Sequence, residues 1–328
     1  MRAVLVTGAS GFIGAHVAKS FAERGFRVVA TGRNVAKLES HTTYADCRPC
    51  DLVSDDIEPL LRGIDTIVHC AALSSPWGPR DAFHAHNVQA TQRLADAALR
   101  CSVERFVHLS SPSIYFRFAH QFNVDEAQCP AQFVNDYAQT KREAERVVAT
   151  AHERGLHTIM LRPRAVYGEG DAAIMPRVLK VARRGVFPLF DSGRAHIDTT
   201  YVGNVVEAAW RAAHAPRERS GRVYNITDGA SLSVRELLDH VFRALQWRVR
   251  FVNVPTSLAL AMAGIAETIA RCLPSQPEPR LTRYGVGVLA YSQTLNIAAA
   301  CDELGYRPLW TTAQGIERYA QWYARHAH

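Results

Sequence analysis

The chain has 328 residues, 48% apolar and 21% charged, enough to bury a full core in one large domain or two closely joined ones and too apolar for a disordered chain. The formal net charge of +7 comes from dispersed lysines and arginines, which suits a site for phosphates or carboxylates better than a nucleic-acid face. No apolar run reaches the ~18 residues of a membrane span, no charged-then-apolar leader precedes the first strand, and the seven scattered cysteines read as reduced thiols, so a cytoplasmic protein is expected.

"AVLVT" (Ala3 to Thr7) reads as a buried strand that runs straight into "TGASGFIG", with glycines at positions 8, 11 and 14. Gly8 allows a tight turn, Gly11 lets the backbone approach a pyrophosphate, and Gly14 lets the next helix pack close to the strand. That helix, Phe12 to Arg24, opens with free N–H groups that suit an anion. The spacing is G-x-x-G-x-x-G, not the commoner G-x-G-x-x-G, and a glycine triplet alone says little. The strand before it and the amphipathic helix after it favour a dinucleotide site over a ligand-free turn.

The second strand, Arg27 to Thr31, ends "VVATGRN". No acid stands at Thr31, Gly32, Arg33 or Asn34 to hold the ribose 2′-hydroxyl of NAD. Arg33 instead offers a guanidinium fork to a 2′-phosphate, so NADP(H) is favoured over NAD(H); the competing reading is a solvated surface arginine. Cys47 and Cys50 form a C-x-x-C with no second ligand pair, so small buried side chains are expected and no metal site. Asp51, after the third strand in "CDLVS", either accepts a bond from the adenine amine or caps a helix starting near Ser54.

Further strand-like runs, Asp65 to Cys70, Arg105 to Ser110 and His157 to Arg162, alternate with helical stretches Arg80–Cys101 and Asn135–Arg154. The alternation predicts an α/β chain: a Rossmann-type doubly wound parallel sheet with helices on both faces. The near-continuous apolar strands agree.

The helix after the fifth strand opens "NDYAQTK", with Tyr137 and Lys141 on one face. Two readings compete. One is an amphipathic helix with the tyrosine on the sheet and the lysine in water. The other is a proton-transfer site, because a free phenol titrates near ~10 and an adjacent ammonium lowers that value toward the working pH. Ser110, Ser111 and Ser113 precede it in "HLSSPSIY". On a strand, Ser111 and Ser113 would share a face and Ser110 would not.

Taken together, "TGASGFIG", "HCAALS", "HLSSPSIY", "YAQTK" and "LRPRAVYGEGD" resemble the extended short-chain dehydrogenases/reductases, over nearly the whole chain. The tail from "PRLTRYGVGVLAYSQ" to "QWY" is similar to the 3β-hydroxysteroid dehydrogenase and 2-alkyl-3-oxoalkanoate reductase branch. The resemblance implies Ser111, Tyr137 and Lys141 as catalytic residues, with Lys141 also bonding the nicotinamide ribose. It implies a cofactor site from Gly8, Ser10, Gly11, Phe12, Ile13, Gly14, Arg33, Asp51, Leu52, Ala71, Ala72 and Pro163, together with Tyr137 and Lys141. Ser111, Ser113 and Arg164 are expected at the substrate. Asn87 looks like the family's asparagine beside the cofactor, or a plain structural helix bond. The family's habit is a homodimer through the helices Arg80–Cys101 and Asn135–Arg154.

The second half is expected to carry substrate choice. Residues 1–170 read as the nucleotide-binding domain, with a return segment near 196–227 that holds a helix from about Asn204 and the strand "RVYNITDG". Residues 171–195 and 228–328 read as a smaller, mostly helical substrate lobe. Ser233 is a candidate helix cap. "TSLALAMAGIAETIARCLP" (Thr256 to Pro274) is an apolar helix for core or dimer packing; alternatively it walls a lipid-like substrate or rests on a membrane surface.

The leading functional expectation is an NADP(H)-dependent oxidoreductase for a 3-hydroxy/3-keto group on a lipid-like or steroid-like small molecule. The runner-up is a nucleotide-sugar epimerase or dehydratase with tightly held NAD. The segment "RPRAVYG", in place of the Tyr-Phe-Asn found in many such enzymes, counts against that one. A non-catalytic cofactor sensor would not need Ser111, Tyr137 and Lys141 together.

Overall fold

A computed structural model describes residues 2–326. β1 (Ala3–Thr7), buried throughout, feeds α1 (Phe12–Glu23). β2 (Arg27–Thr31), α2 (Val35–Glu39), β3 (Asp46–Cys47) and β4 (Thr66–His69) follow. The next helical stretch is continuous but not uniform: α3 (Arg80–Phe83) widens into a π turn at His84–Gln89 before α4 (Ala90–Arg100). Then come β5 (Arg105–Leu109), β6 (Gln121–Val124), α5 (Asp136–Glu153), β7 (His157–Pro163) and β8 (Val166–Tyr167).

Seven strands form one parallel sheet in the order β12-β7-β5-β4-β1-β2-β3, where β12 is Arg222–Ile226. The strand order reverses between β1 and β4, and a cleft opens at the carboxyl ends there. The sheet is buried on both sides, which is why its strands carry continuous apolar runs such as "AVLV" and not a polar alternation. One core cluster joins α1 to α7 (Val202–Ala213) across one face; a second joins α4 and α5 across the other. The doubly wound α/β sheet expected from the sequence is present.

The remaining elements form the second part of the chain. They are α6 (Ile174–Ala182), β9 (Val186–Phe190), β10 (His196–Ile197), β11 (Thr200–Tyr201), β13 (Leu232–Ser233), α8 (Val234–Ala244), β14 (Arg250–Val254), α9 (Thr256–Cys272), α10 (Arg283–Ala290), β15 (Gln293–Leu295), α11 (Ala298–Glu303) and α12 (Thr312–His326). Of these, α11 returns to pack beside β12. Short strands, in the order β13-β10-β15-β6, tie this helical part together. Ser233 caps α8 in a reciprocal capping box with Glu236.

The apolar helix of the sequence is α9, and its two sides differ. Small residues Ala259, Ala263 and Ala270 with Glu267 face inward; Glu267 accepts from the Arg283 N–H at 2.6 Å and from its Nε at 3.0 Å. Leu258, Met262, Ile265 and Ile269 all point outward and are exposed. Small inward side chains let α9 lie close to α10, so the larger ones are left on the far face.

Candidate active site

The glycine loop is shaped by close approach. Gly8 has φ +66°, and a Cβ there would stand 2.7 Å from the Ala71 nitrogen. A Cβ on Gly14 would stand 2.3 Å from the Gly8 carbonyl. Any side chain at either position pushes α1 or the β4 loop out of place. Gly11 caps α1 with no side-chain bond, and no acid sits in the first turn. The free N–H groups therefore remain available to an anion, and the cradle fits a dinucleotide pyrophosphate.

Ser10, Phe12 and Ile13 surround this cradle, half-buried. Ala71 donates its N–H to Thr7 Oγ1 at 3.2 Å, and Ala72 is exposed beside it at the reversal point. Leu52 is buried, its carbonyl held by Arg93 Nη1 at 2.5 Å. Pro163 closes β7 opposite Ile226. Arg33 stands exposed just past β2, with Nη1 3.1 Å from His86 Nε2. Burial and the Arg33 charge hold His86 below its ordinary pKa, so it accepts that bond as a neutral ring.

Asp51 does not cap a helix at Ser54, contrary to one of the two readings above. Its Oδ1 accepts from the Val53 N–H at 2.9 Å, and this local turn leaves the first helical turn to Glu58–Leu61. The Cys47 and Cys50 thiols are both pushed up by burial, Cys50 to about 11, and no group of three metal ligands exists among the described residues.

α5 carries the tyrosine and lysine. Asn135 caps it, accepting from the Ala138 N–H at 2.8 Å. Tyr137 is half-buried, its ring 6.4 Å from that of Phe83. Lys141, one turn on, is not in water: it is 2% exposed, and Nζ donates to the Leu109 carbonyl at 2.6 Å. Burial pulls its pKa down to about 8, against the opposing pull of Glu145 and Cys70. One of its three N–H donors is used within the protein, which leaves two for a ligand.

The serines sit differently from the strand argument. β5 ends at Leu109, so side-chain alternation stops before them. Ser111 caps a 3₁₀ turn, Pro112–Tyr115, and its Oγ accepts from the Ser113 N–H at 3.2 Å. Proline suits the first position of that turn, where its missing N–H costs nothing. Ser111 is half-buried, and its hydroxyl hydrogen is left to donate outward. Ser113 is buried, and its Oγ has no partner among the described residues.

Beneath these groups lies a polar network that the motifs did not signal. Glu145 accepts Ser110 Oγ at 2.6 Å and Arg162 Nε at 2.7 Å on one oxygen, and Arg162 Nη2 at 2.7 Å and Arg142 Nη1 at 2.9 Å on the other. Burial opposes its charge, but these bonds outweigh burial and hold the carboxyl below its ordinary pKa. Arg162 continues to the Tyr115 hydroxyl and the Glu126 carbonyl, and Tyr115 passes to Asn225 Oδ1 at 2.8 Å. The clue was the spacing: Tyr137, Lys141 and Glu145 continue one four-residue series along the helix.

Asn87 holds the loop after β4. Its Oδ1 accepts from the Leu73 N–H at 2.7 Å, and Nδ2 donates to Thr140 Oγ1 at 3.1 Å, tying that loop to α5. His69 lies sealed between Thr7 Oγ1 at 2.7 Å and Thr91 Oγ1 at 2.9 Å. Burial, with the Lys141 charge, pulls its pKa to about 3. Arg164 is buried just past β7, its N–H donating to the Ile226 carbonyl at 3.1 Å. Tyr284 and Asp198, which no motif indicated, lie near it.

Residues 4–227 match the NAD dependent epimerase/dehydratase family. The chain is 30% identical to a 2-alkyl-3-oxoalkanoate reductase of Stenotrophomonas maltophilia (strain K279a), covering 96% of this chain and 97% of that one. It is also 30% identical to a 3-beta-hydroxysteroid dehydrogenase of Mycolicibacterium neoaurum, covering 98% and 91%. Among solved structures, MoeE5 in complex with UDP-glucose and NAD aligns with TM-score 0.79 and 26% identity over 100% of both chains.

Proposed function

The chain belongs to the NAD dependent epimerase/dehydratase family, and from that premise we propose an NADP(H)-dependent oxidoreductase that interconverts a 3-hydroxy and a 3-keto group on a lipid-like or steroid-like molecule. Named relatives are dehydrogenases and reductases acting on CH–OH groups. The observation that carries the reading is the sealed lysine: Lys141 sits dry beneath the reaction cleft, its ammonium fixed on the Leu109 carbonyl one turn from Tyr137. A solvated helix surface does not bury a lysine, and a buried cation one turn from a phenol is the kind of perturbed group that active sites hold.

The dinucleotide, when bound, supplies or accepts the hydride. Tyr137 moves the proton at its phenolic oxygen, giving it to the substrate oxygen in reduction and taking it back in oxidation. Ser111 donates its free hydroxyl hydrogen to the same oxygen, stabilising the negative charge that develops there. Lys141 places positive charge on this group of oxygens and offers two N–H donors to the cofactor's ribose. Arg33 pairs with the 2′-phosphate, which is the basis for favouring NADP(H) over NAD(H).

The test is a cofactor-oxidation screen with NADPH, comparing a 3-ketosteroid, a long-chain 3-keto acid and a UDP-sugar. NADPH consumption with one of the first two is expected. Conversion of the UDP-sugar without net consumption, by protein that keeps NAD through purification, would instead mark an epimerase. Tyr137→Phe is expected to lower kcat by about 10²–10⁴-fold while leaving NADPH affinity nearly unchanged. Equal kcat in variant and parent removes the proton role.

A further inference from the structure

Arg164 is a buried cation with no ion-pair partner among the described residues. It is 6% exposed, and its Nε is sealed from solvent without a hydrogen-bond partner. No carboxylate among the described residues lies within 4.0 Å of its guanidinium. Asp198, the nearby acid, has its Oδ2 turned to the Leu295 N–H at 2.6 Å, and burial raises its pKa, which weakens it as a counter-ion. Only two residues earlier, Arg162 is fully paired, so the fold can neutralise an arginine here and at position 164 does not. An unpaired buried charge is expensive and is kept where a ligand completes it.

Its neighbours say which ligand. β5 and β7 run parallel with Leu109 opposite Leu161, so Arg164, just past β7, leaves the sheet at the same end as the Ser111 turn, just past β5. The Tyr284 ring, whose phenol the Arg164 charge reaches, packs 5.2 Å from Phe116 at the end of that turn. Ser113 Oγ, on that same turn, is also buried and unbonded. The pyrophosphate and 2′-phosphate positions are assigned to the α1 N-terminus and to Arg33, so Arg164 remains for the substrate. A planar fork beside the reacting oxygen matches a carboxylate.

Resting on the oxidoreductase reading, we propose that Arg164 is the specificity-determining residue of the substrate site and binds a carboxylate one carbon away from the reacting carbinol. The substrate is therefore a 3-hydroxy or 3-keto acid, not a neutral sterol. In oxidation, C3 loses its hydride to the nicotinamide and its hydroxyl proton to Tyr137, while the C–COO⁻ bond stays intact. The ion pair also stabilises that bond, since a carboxylate held by a guanidinium is slower to leave as carbon dioxide.

The experiment uses 3-hydroxydecanoate, which unlike its keto form does not lose carbon dioxide, and its methyl ester, with NADP⁺ and the purified full chain. The parent is expected to prefer the acid over the ester by about 100-fold in kcat/KM. In Arg164→Gln that preference falls to about one, mainly through a higher KM for the acid, and Arg164→Lys recovers part of it. Equal use of acid and ester by the parent, or an unchanged preference in Arg164→Gln, overturns the proposal.

Two further measurements separate this proposal from the reading beneath it. Calorimetric titration of decanoate into parent and Arg164→Gln, each with NADP⁺, is expected to give binding only in the parent. That result upholds the carboxylate site even if neither substrate turns over, whereas equal binding or none in both overturns it. Ligand-free Arg164→Gln is expected to melt at the same or a higher temperature than the parent, because an unpaired buried charge has been removed. A lower melting temperature makes Arg164 a structural residue and overturns the proposal.

Discussion

Two buried regions meet at the end of β7, and they treat the same side chain in opposite ways. Below the strand end, Arg162 is held by Glu145, Tyr115 and the Glu126 carbonyl, a network closed on itself. Just past it, Arg164 is buried with its Nε unbonded, and no carboxylate among the described residues forms an ion pair with it. The lower region fixes the shape of β5, α5 and β7 relative to one another. The upper region is left incomplete, and that incompleteness is the ground for the carboxylate site proposed above. A closed polar network and an open one cannot be told apart by composition, since both use arginine, tyrosine and acid.

The contrast can be broken most severely from below. Glu145→Ala leaves Arg162 and Arg142 without their carboxylate, and the expected loss is about 3–5 kcal/mol of unfolding free energy, read by urea denaturation. A loss under about 1 kcal/mol would mean that the network is no better sealed than the cleft. The same variant removes the acceptor of Ser110, so the turn carrying Ser111 loosens as well.

Acid attacks the sealed side next. His69 has a folded pKa of about 3 against an ordinary value of 6.5. Between those values only the unfolded chain takes up the proton, so stability is intact above pH 6.5 and falls as pH drops toward 3. At pH 5 His69 alone accounts for about 2 kcal/mol. Burial also lowers His108, and takes His157 to about 4, in the same direction. Urea midpoints compared at pH 7 and pH 5 check this; equal midpoints would show that these rings are open to solvent.

The smallest effect sharpens the open side. Arg33 is exposed and hydrogen-bonds only His86 among the described residues, so the proposed reading of the 2′-phosphate can be tested there without cost to the fold. Arg33→Ala is expected to weaken NADPH by about tenfold and NADH by less than twofold in fluorescence titrations, with an unchanged melting temperature. Equal weakening of the two cofactors would remove Arg33 from the 2′-phosphate.

The nucleotide half was legible because its chemistry is local. Gly8, Gly11 and Gly14 are spaced by one turn of chain, and the β1 and α1 patterns beside them are strong enough to place them. Tyr137 and Lys141 were legible for the same reason, being one helical turn apart. Strand alternation does not apply to Ser111 and Ser113, because β5 ends at Leu109 and a 3₁₀ turn follows. Asp51 went wrong as a helix cap because its side chain satisfies its own turn first. Glu145 and Arg162, which bond directly, stand 17 residues apart. No period within one element reveals such a pair, although the four-residue series on α5 pointed at one half of it.

By itself the amino-acid order determined the doubly wound sheet, the anion cradle at its first turn and the tyrosine–lysine face, because each follows from spacing within a single strand, loop or helix. Only the folded chain decided which arginine is neutralised, which side of α9 is left bare and how dry Lys141 becomes, because burial and pairing depend on segments far apart in sequence arriving at one place.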